Sequence, residues 1–295
     1  MQCSCTDRSP KKFSRYLRLI TPQKGQQCHP SCKNCRVTPQ KNQKRQSSRT
    51  ARRNDATRAI FSNHALDNPF AEGQFRWVAK GVYTHGPRAG QACVCKWFKS
   101  GQVFDKINFD MDIEAMQMAL NIVREWNNHK FINKIVKVNV PEVWSSEKQY
   151  GRWAGTKALQ EPFIENYAKF NSNSGWADDS TQWFRVMQAL SHFSYHTSGG
   201  KYVLCDLQGG VYSNTVVLTD PVILSRSGKF GLTDLGSKGI SSFFNKHVCN
   251  EFCKKDWAMP TDKRCYFNPR QGTSIRTGAQ HEVYTIRSLY PLTSI

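Results

Sequence analysis

Between Phe75 and Phe98 the chain carries two apolar, β-branched runs, Phe75–Tyr83 and Ala92–Phe98, on either side of the turn-rich segment His85-Gly-Pro-Arg-Ala-Gly90. That pattern constrains the fold to begin with an antiparallel hairpin, because glycine and proline bend the chain between two strand-forming runs. With a period of two, Val94, Lys96 and Phe98 share one face of the second strand, and Cys93, Cys95 and Trp97 share the other. Lys96 is therefore expected at a sheet edge or reaching into a cleft. Downstream, Ile113, Met116, Leu120, Val123 and Trp126 recur at three- and four-residue steps. They predict a helix capped at Asp110 or Asp112 and running to about Trp126. One or two strands are expected over Phe131–Val143, another over Lys157–Ile164, and a buried one over Tyr202–Cys205. A second helix is expected over Asp179–Thr197, stopped by Gly199 and Gly200. Strands first, then helices mixed with strands, give an α+β fold with two lobes.

Charge divides the chain unevenly. Residues 1–60 hold 15 Lys and Arg against Asp7 and Asp55, which accounts for +13 of the formal +20. Few aliphatic residues and no periodicity from Lys41 to Arg58 make residues 1–60 an expected disordered, basic tail, with order beginning near Asn68. Such a tail could attract an acidic partner or a nucleic acid, but its charge does not make the whole chain a nucleic-acid binder. No apolar run approaches a membrane span, and the first residues lack a secretory apolar segment. An intracellular protein is expected, cytoplasmic or nuclear. Eleven cysteines are an odd number, which without an export signal favours free thiols and metal ligands over disulfides. Cys28, His29, Cys32 and Cys35, with Cys3 and Cys5 upstream, have the spacing of a small zinc knuckle; unpaired thiols are the alternative.

Three constellations can carry chemistry. His247-x-Cys249-x₃-Cys253 lies in a segment that reads as helical from Ile240, with the two cysteines on one face. These ligands suit Zn²⁺, which takes four. His192, His196, Cys205 and Cys265 are open as the fourth, and buried thiols beside an incidental histidine are the rival reading. Asp206, Gln208 and Asp220 lie at expected strand ends. Such hard oxygen ligands suit Mg²⁺ bridging phosphates, although Asp also serves turns without function. The third is Gly231-Leu-Thr-Asp234-Leu-Gly236-Ser-Lys-Gly239, which is either a tight turn or an anion loop. It lacks the Lys-Ser/Thr pair of a P-loop and the spacing of a dinucleotide fingerprint.

Seven stretches in order resemble the alpha-kinase family of atypical protein kinases, which includes myosin heavy chain kinases and elongation-factor-2 kinase. They are NPFAEGQFR (68–76), HGPRAGQACVCKWF (85–98), QEPFIENYAKFNSNSG (160–175), ALSHFSYHTSGGKYVLCDLQG (189–209), VLTDPVI (217–223), FGLTDLGSKGI (230–240) and HVCNEFC (247–253). The resemblance implies a two-lobed, atypical protein-kinase-like fold over residues 68–275, with lobes of about 68–160 and 161–275. It leaves a C-terminal extension over residues 276–295. It implies ATP- and Mg²⁺-dependent transfer of the γ-phosphate to Ser/Thr of a protein substrate. Lys96 would contact the ATP phosphates with Arg76 nearby, and Glu161 would touch the adenine. Asp206 would be the catalytic aspartate, and Gln208 and Asp220 would hold Mg²⁺. Gly231, Asp234, Gly236 and Gly239 would form a loop facing the peptide. The structural Zn²⁺ would be held by His192, His247, Cys249 and Cys253, bracing the C-terminal lobe. Three features depart from the family: Gly210 replaces a common valine, the path from Gln208 to Asp220 is long, and Leu232 stands where proline is usual. A conventional kinase would need His-Arg-Asp and Asp-Phe-Gly motifs, which are absent. A pseudokinase, or a zinc-stabilised binding module with a basic nucleic-acid-binding tail, is the alternative.

Overall fold

The computed structural model describes residues 18–22, 50–73, 76–99, 106–147 and 151–275. In chain order the strands are β1 (Arg18–Pro22), β2 (Ala51–Arg52), β3 (Arg58–Phe61), β4 (Ala71–Glu72), β5 (Arg76–His85), β6 (Ala92–Phe98) and β7 (Ile135–Asn139). They continue with β8 (Glu142–Ser146), β9 (Lys157–Pro162), β10 (Tyr167–Lys169), β11 (Tyr202–Cys205), β12 (Gln208–Val211), β13 (Thr215–Thr219) and β14 (Val222–Ser225). The helices are α1 (Asn63–Asp67), α2 (Lys106–His129), α3 (Gln182–Thr197) and α4 (Gly236–Lys246). The chain divides into two compact units, Met1–Phe104 with Asn139–Ile164, and Asp105–Val138 with Glu165–Ile295. Among the described residues no helix is long and apolar enough to cross a membrane.

The first unit is a seven-stranded sheet in the order β3-β1-β8-β9-β6-β5-β4, and β3 pairs with β5 as well. That extra pairing closes a ring of antiparallel strands and removes two exposed edges. The expected hairpin is β5–β6, with Val78 opposite Lys96 and Arg76 opposite Phe98. Register therefore puts Arg76, Val78, Lys96 and Phe98 on one face. Ala79, Cys95 and Trp97 fill the buried cluster on the other, with Cys93, Tyr83 and Trp144.

The structure corrects the expectation that order begins near Asn68. Ala59 and Phe61 on β3 are fully buried in that same cluster, and Asn54 and Thr50 are buried too. A strand of four residues inside a basic stretch buries only two side chains, too few to register as a period in composition. Phe61→Ala is expected to destabilise this unit by about 3–5 kcal/mol, as emptying an aromatic core site does. Urea denaturation checks it; a change below about 1 kcal/mol would mean that β3 is not part of the core. The candidate knuckle (Cys3, Cys5, Cys28, His29, Cys32, Cys35), most of the basic tail and the extension 276–295 lie outside the described residues.

In the second unit β10, β12, β13 and β7 lie side by side, with β13–β7 parallel and the other pairs antiparallel. The antiparallel β11–β14 pair packs against α3 and α4. α2 belongs here, whereas the expected lobe boundary near residue 160 puts it in the first lobe. The reason is aromatic: Trp126 of α2 meets Phe131, Phe193 and Trp257 at centroid distances of 4.8, 5.5 and 6.4 Å. α2 also starts at Lys106, so Asp110 and Asp112 lie inside it rather than capping it. Carboxylates favour the first turns of a helix as well as its cap, so the two positions look alike in sequence. α3 begins at Gln182 after Thr181, and Asp178 accepts the Ser180 amide at 2.7 Å in a turn ahead of it. As expected, it ends at Gly199 and Gly200, both at positive φ.

Candidate functional site

In the first unit β6 carries Lys96 and the neighbouring β9 carries Glu161, and both side chains are buried. They form an ion pair. Asn139 Nδ2 donates to Glu161 Oε2 at 3.0 Å and to the Pro162 carbonyl at 2.9 Å. Arg52 in turn donates to Asn139 Oδ1 at 3.3 Å and to the Phe163 carbonyl at 3.1 Å. Glu161 is thus fixed from two sides and aims the ammonium of Lys96. A buried charge is retained only when paired and hydrogen-bonded in this way. Arg76 lies on the same face of the hairpin as Lys96, its guanidinium 4.7 Å from the Phe98 ring centroid.

In the second unit Asp206 follows β11 and is buried, with φ of 58°. That left-handed backbone is uncommon outside glycine, and Asp and Asn adopt it most readily. It turns the carboxylate toward β10. Lys169 Nζ lies 2.8 Å from Asp206 Oδ1, and the Thr273 hydroxyl donates to Oδ2 at 3.0 Å. Lys169 faces Gln208 across the β10–β12 pair, and its Nζ also donates to Gln208 Oε1 at 3.1 Å. Tyr167 donates to the same oxygen at 2.6 Å. Burial holds the Asp206 carboxyl above the ordinary aspartate value, Lys169 and Thr273 pull it back, and the charge of Asp220 raises it again.

The long path from Gln208 to Asp220 is a hairpin, β12–β13, in which Gln208 pairs with Thr219. It returns Asp220 to Gln208, whose Nε2 is 3.5 Å from the Asp220 carbonyl and 3.5 Å from Asp206 Oδ2. Gly209 permits the close pairing, because a Cβ there would sit 1.9 Å from the Val217 carbonyl oxygen. The donor set fits a cation. Oxygens of Asp206 and Gln208 already converge on one positive group, the Lys169 ammonium, with the Asp220 carboxylate near enough to act on Asp206.

Within the glycine-rich loop, Asp234 and Gly239 have internal structural roles. Asp234 is fully buried and holds the loop together. Its Oδ1 accepts the Ser225 and Gly236 amides at 2.8 and 3.0 Å, and its Oδ2 accepts the Ser225 hydroxyl at 2.5 Å and the Phe230 amide at 3.2 Å. Gly239 lies in α4, where a Cβ would come within 2.5 Å of Leu235 Cβ and 3.2 Å of Leu224. These two residues build the loop and seat its helix, leaving Leu232, Ser237 and Lys238 exposed.

His192 of α3 meets His247, Cys249 and Cys253, with one ligand atom from each within 4.8 Å of the others. α4 ends at Lys246, so the two cysteines sit on a loop and turn, not on the expected helix face. The Cys253 amide donates to the Asn250 carbonyl at 3.0 Å, and this turn brings the thiols together. His247 Nε2 is 3.2 Å from His192 Nδ1, Cys249 Sγ is 3.6 and 3.7 Å from those nitrogens, and Cys253 Sγ is 3.8 Å from His247 Nε2. Tetrahedral zinc requires N···N and N···S separations of about 3.3 and 3.6 Å from its bond lengths, so the cluster fits. His192 Nε2 donates to the Ala258 carbonyl at 3.1 Å, which leaves Nδ1 as the lone-pair nitrogen facing the cluster. Burial lowers both histidines, His247 to about 4 with His192 adding to the effect, which favours the neutral form a metal needs. Of the other fourth-ligand candidates, His196 accepts the Ala258 amide at 3.2 Å, Cys265 is exposed and Cys205 is buried in β11.

Lys169, Thr273 and Asn139 are the polar partners that sequence reasoning missed. Lys169 lies inside the stretch 160–175, but only the β10–β12 register brings it to Asp206.

Solved structures share the fold. An alpha-kinase from Entamoeba histolytica superimposes with a TM-score of 0.59 at 20% identity, over 74% of this chain and 85% of that one. The alpha-kinase domain of myosin-II heavy chain kinase A in complex with AMP-PNP gives 0.53 at 24%, over 66% and 88%. The alpha-protein kinase vwkA of Dictyostelium discoideum is 32% identical over 200 residues, which are 64% of this chain and 30% of that protein. Human eukaryotic elongation factor 2 kinase is 36% identical over 120 residues, 39% of this chain and 15% of that protein. The chain thus spans less than a third of the length of these relatives. Residues 71–253, more than half of the sequence, match the alpha-kinase family profile, and the chain belongs to that family.

Proposed function

We propose that this chain is an ATP- and Mg²⁺-dependent protein kinase that transfers the γ-phosphate to serine and threonine hydroxyls. The observation that carries the reading is the buried Asp206 carboxylate, paired with Lys169 and flanked by Gln208, in a chain of this family. A solved relative of the same fold binds AMP-PNP, which supports ATP as the donor. The catalytic domain takes in β3 and runs to about residue 275.

Asp206 accepts the proton of the substrate hydroxyl as its oxygen attacks the γ-phosphorus. The new O–P bond forms, the bond to the β,γ-bridging oxygen breaks, and ADP leaves with the electron pair. Lys169 keeps Asp206 ionised in spite of burial. Lys96, oriented by Glu161, neutralises the ATP phosphates, with Arg76 beside it; positioning and charge neutralisation are the main demands of phosphoryl transfer. In the first unit Glu161 is an orienting group for Lys96, beside the adenine contact that the resemblance implies. Mg²⁺, held by Gln208 and Asp220, would supply further neutralisation of phosphate charge. Zn²⁺ on His192, His247, Cys249 and Cys253 would supply a structural cross-link between α3 and the segment after α4.

The reading is tested by incubating the protein with ATP, Mg²⁺ and a basic test protein, then identifying the phosphorylated amino acids. Phosphoserine and phosphothreonine are expected, lost in Lys96→Met; phosphotyrosine alone would refute the assigned specificity. A pH dependence follows as well. Asp206 works as a base only when ionised, so activity falls as pH drops through its raised value. Lys169→Met removes a charge that favours the ionised form, so the acid limb of kcat/KM should move to higher pH. A limb that stays in place would separate Lys169 from the titration of Asp206.

A further inference from the structure

Beyond Cys253 the chain turns back along α4 as a strap. Ser242 Oγ accepts the Tyr266 and Phe267 amides at 2.8 and 3.0 Å, and the Ser241 hydroxyl donates to the Arg264 carbonyl at 2.9 Å. The strap then crosses the loop after β10. Ser174 Oγ accepts the Arg270 amide at 2.9 Å and donates to the Arg270 carbonyl at 3.3 Å. Asn173 clamps Ser274 from both sides, its Oδ1 accepting the Ser274 amide at 2.7 Å and its Nδ2 donating to the Ser274 carbonyl at 2.7 Å. That Nδ2 also donates to the Thr233 carbonyl of the glycine-rich loop at 2.8 Å. Asn173 and Ser174 are fully buried, so they are built into this surface and do not adapt to it.

Every contact made by Asn173 and Ser174 with the strap goes to main-chain amides and carbonyls. Groups arranged in that way recognise a backbone and tolerate any side chain except one that removes an amide hydrogen. One side-chain contact stands apart: the Thr273 hydroxyl donates to Asp206 Oδ2 at 3.0 Å. A threonine hydroxyl on the proposed base, next to a clamped backbone, is what a protein acceptor would have to present.

We propose that Asn173, Ser174 and Asp206 form the acceptor-peptide subsite, and that residues 270–275 fill it as an internal competitor. The inference rests on Asp206 being the base. A substrate would present Ser or Thr where Thr273 stands, and Asn173 would hold the backbone of the next residue. Acceptors followed by proline are excluded, because proline offers no amide hydrogen to Asn173 Oδ1.

Ser274→Pro in the full chain tests this by breaking the clamp. A fluorescently labelled peptide of residues 268–275 is expected to bind the variant and not the wild type, and the same peptide with Ser274→Pro should bind neither. The KM for a protein acceptor should fall about tenfold in the variant with kcat unchanged, since a competitor that leaves one site in ten free raises apparent KM by that factor. No binding of the peptide by a folded variant overturns the subsite. Should that variant not fold, Thr273→Val removes the competing hydroxyl alone. A lower KM at constant kcat then supports competition, and a lower kcat would make Thr273 a support of Asp206 and overturn it. Peptide binding by Ser274→Pro without any phosphate transfer by wild type would leave the subsite standing and sink the kinase reading. Transfer without peptide binding would do the reverse.

Discussion

Asp206→Asn is expected to lower kcat for phosphate transfer by about 10³-fold, within the range that a general base contributes. Asparagine keeps the size of the side chain and an oxygen able to accept from Lys169 or Thr273, but it cannot take up a proton at neutral pH. The KM for ATP should change little, because Lys96 and Glu161 are untouched. Lys169 loses its counter-charge in a largely buried setting, so a modest drop in melting temperature should accompany the kinetic loss. Steady-state kinetics beside thermal denaturation separates the two effects. A folded variant within tenfold of wild-type kcat would remove Asp206 from the chemistry.

Cys253→Ser is expected to release about one zinc per chain and to unfold the second unit. Structural zinc supplies on the order of 10 kcal/mol of apparent binding energy, comparable to the entire 5–15 kcal/mol of a typical domain. The site joins His192 of α3 to the loop after α4, and Trp257 just beyond it packs 5.3 Å from the His192 ring and 5.5 Å from Phe193. Loss of the cross-link should free that aromatic cluster and the strap together. Metal analysis of freshly purified protein, followed by melting with and without a chelator, checks this. Full stability in zinc-free protein would defeat the structural role.

What could be read from the sequence depended on how local each feature is. The β5–β6 hairpin and the end of α3 at Gly199 and Gly200 were legible because alternation and turn chemistry act within a few residues. The candidate metal ligands His247, Cys249 and Cys253 were legible from spacing, although their local structure was not. A coil with one turn at Asn250 converges the thiols as well as a helix face would. Lys169, Asn139 and Thr273 were invisible because each meets its partner only through strand register or a distant return of the chain. Thr273 lies 67 residues from Asp206. The part that Asp234 plays inside its loop was illegible for a related reason. An aspartate in a glycine-rich loop has the same appearance whether it faces a ligand or caps its own backbone, and only burial distinguishes them.

Parallel incubations with ATP labelled on the γ-phosphorus and ATP labelled on the α-phosphorus, with Mg²⁺ and a protein acceptor, test the central claim most directly. Label from the γ position alone should appear on serine or threonine of the acceptor, and Asp206→Asn should transfer almost none. No γ-label on protein from zinc-replete wild type, or equal transfer by the variant, would contradict phosphoryl transfer at Asp206.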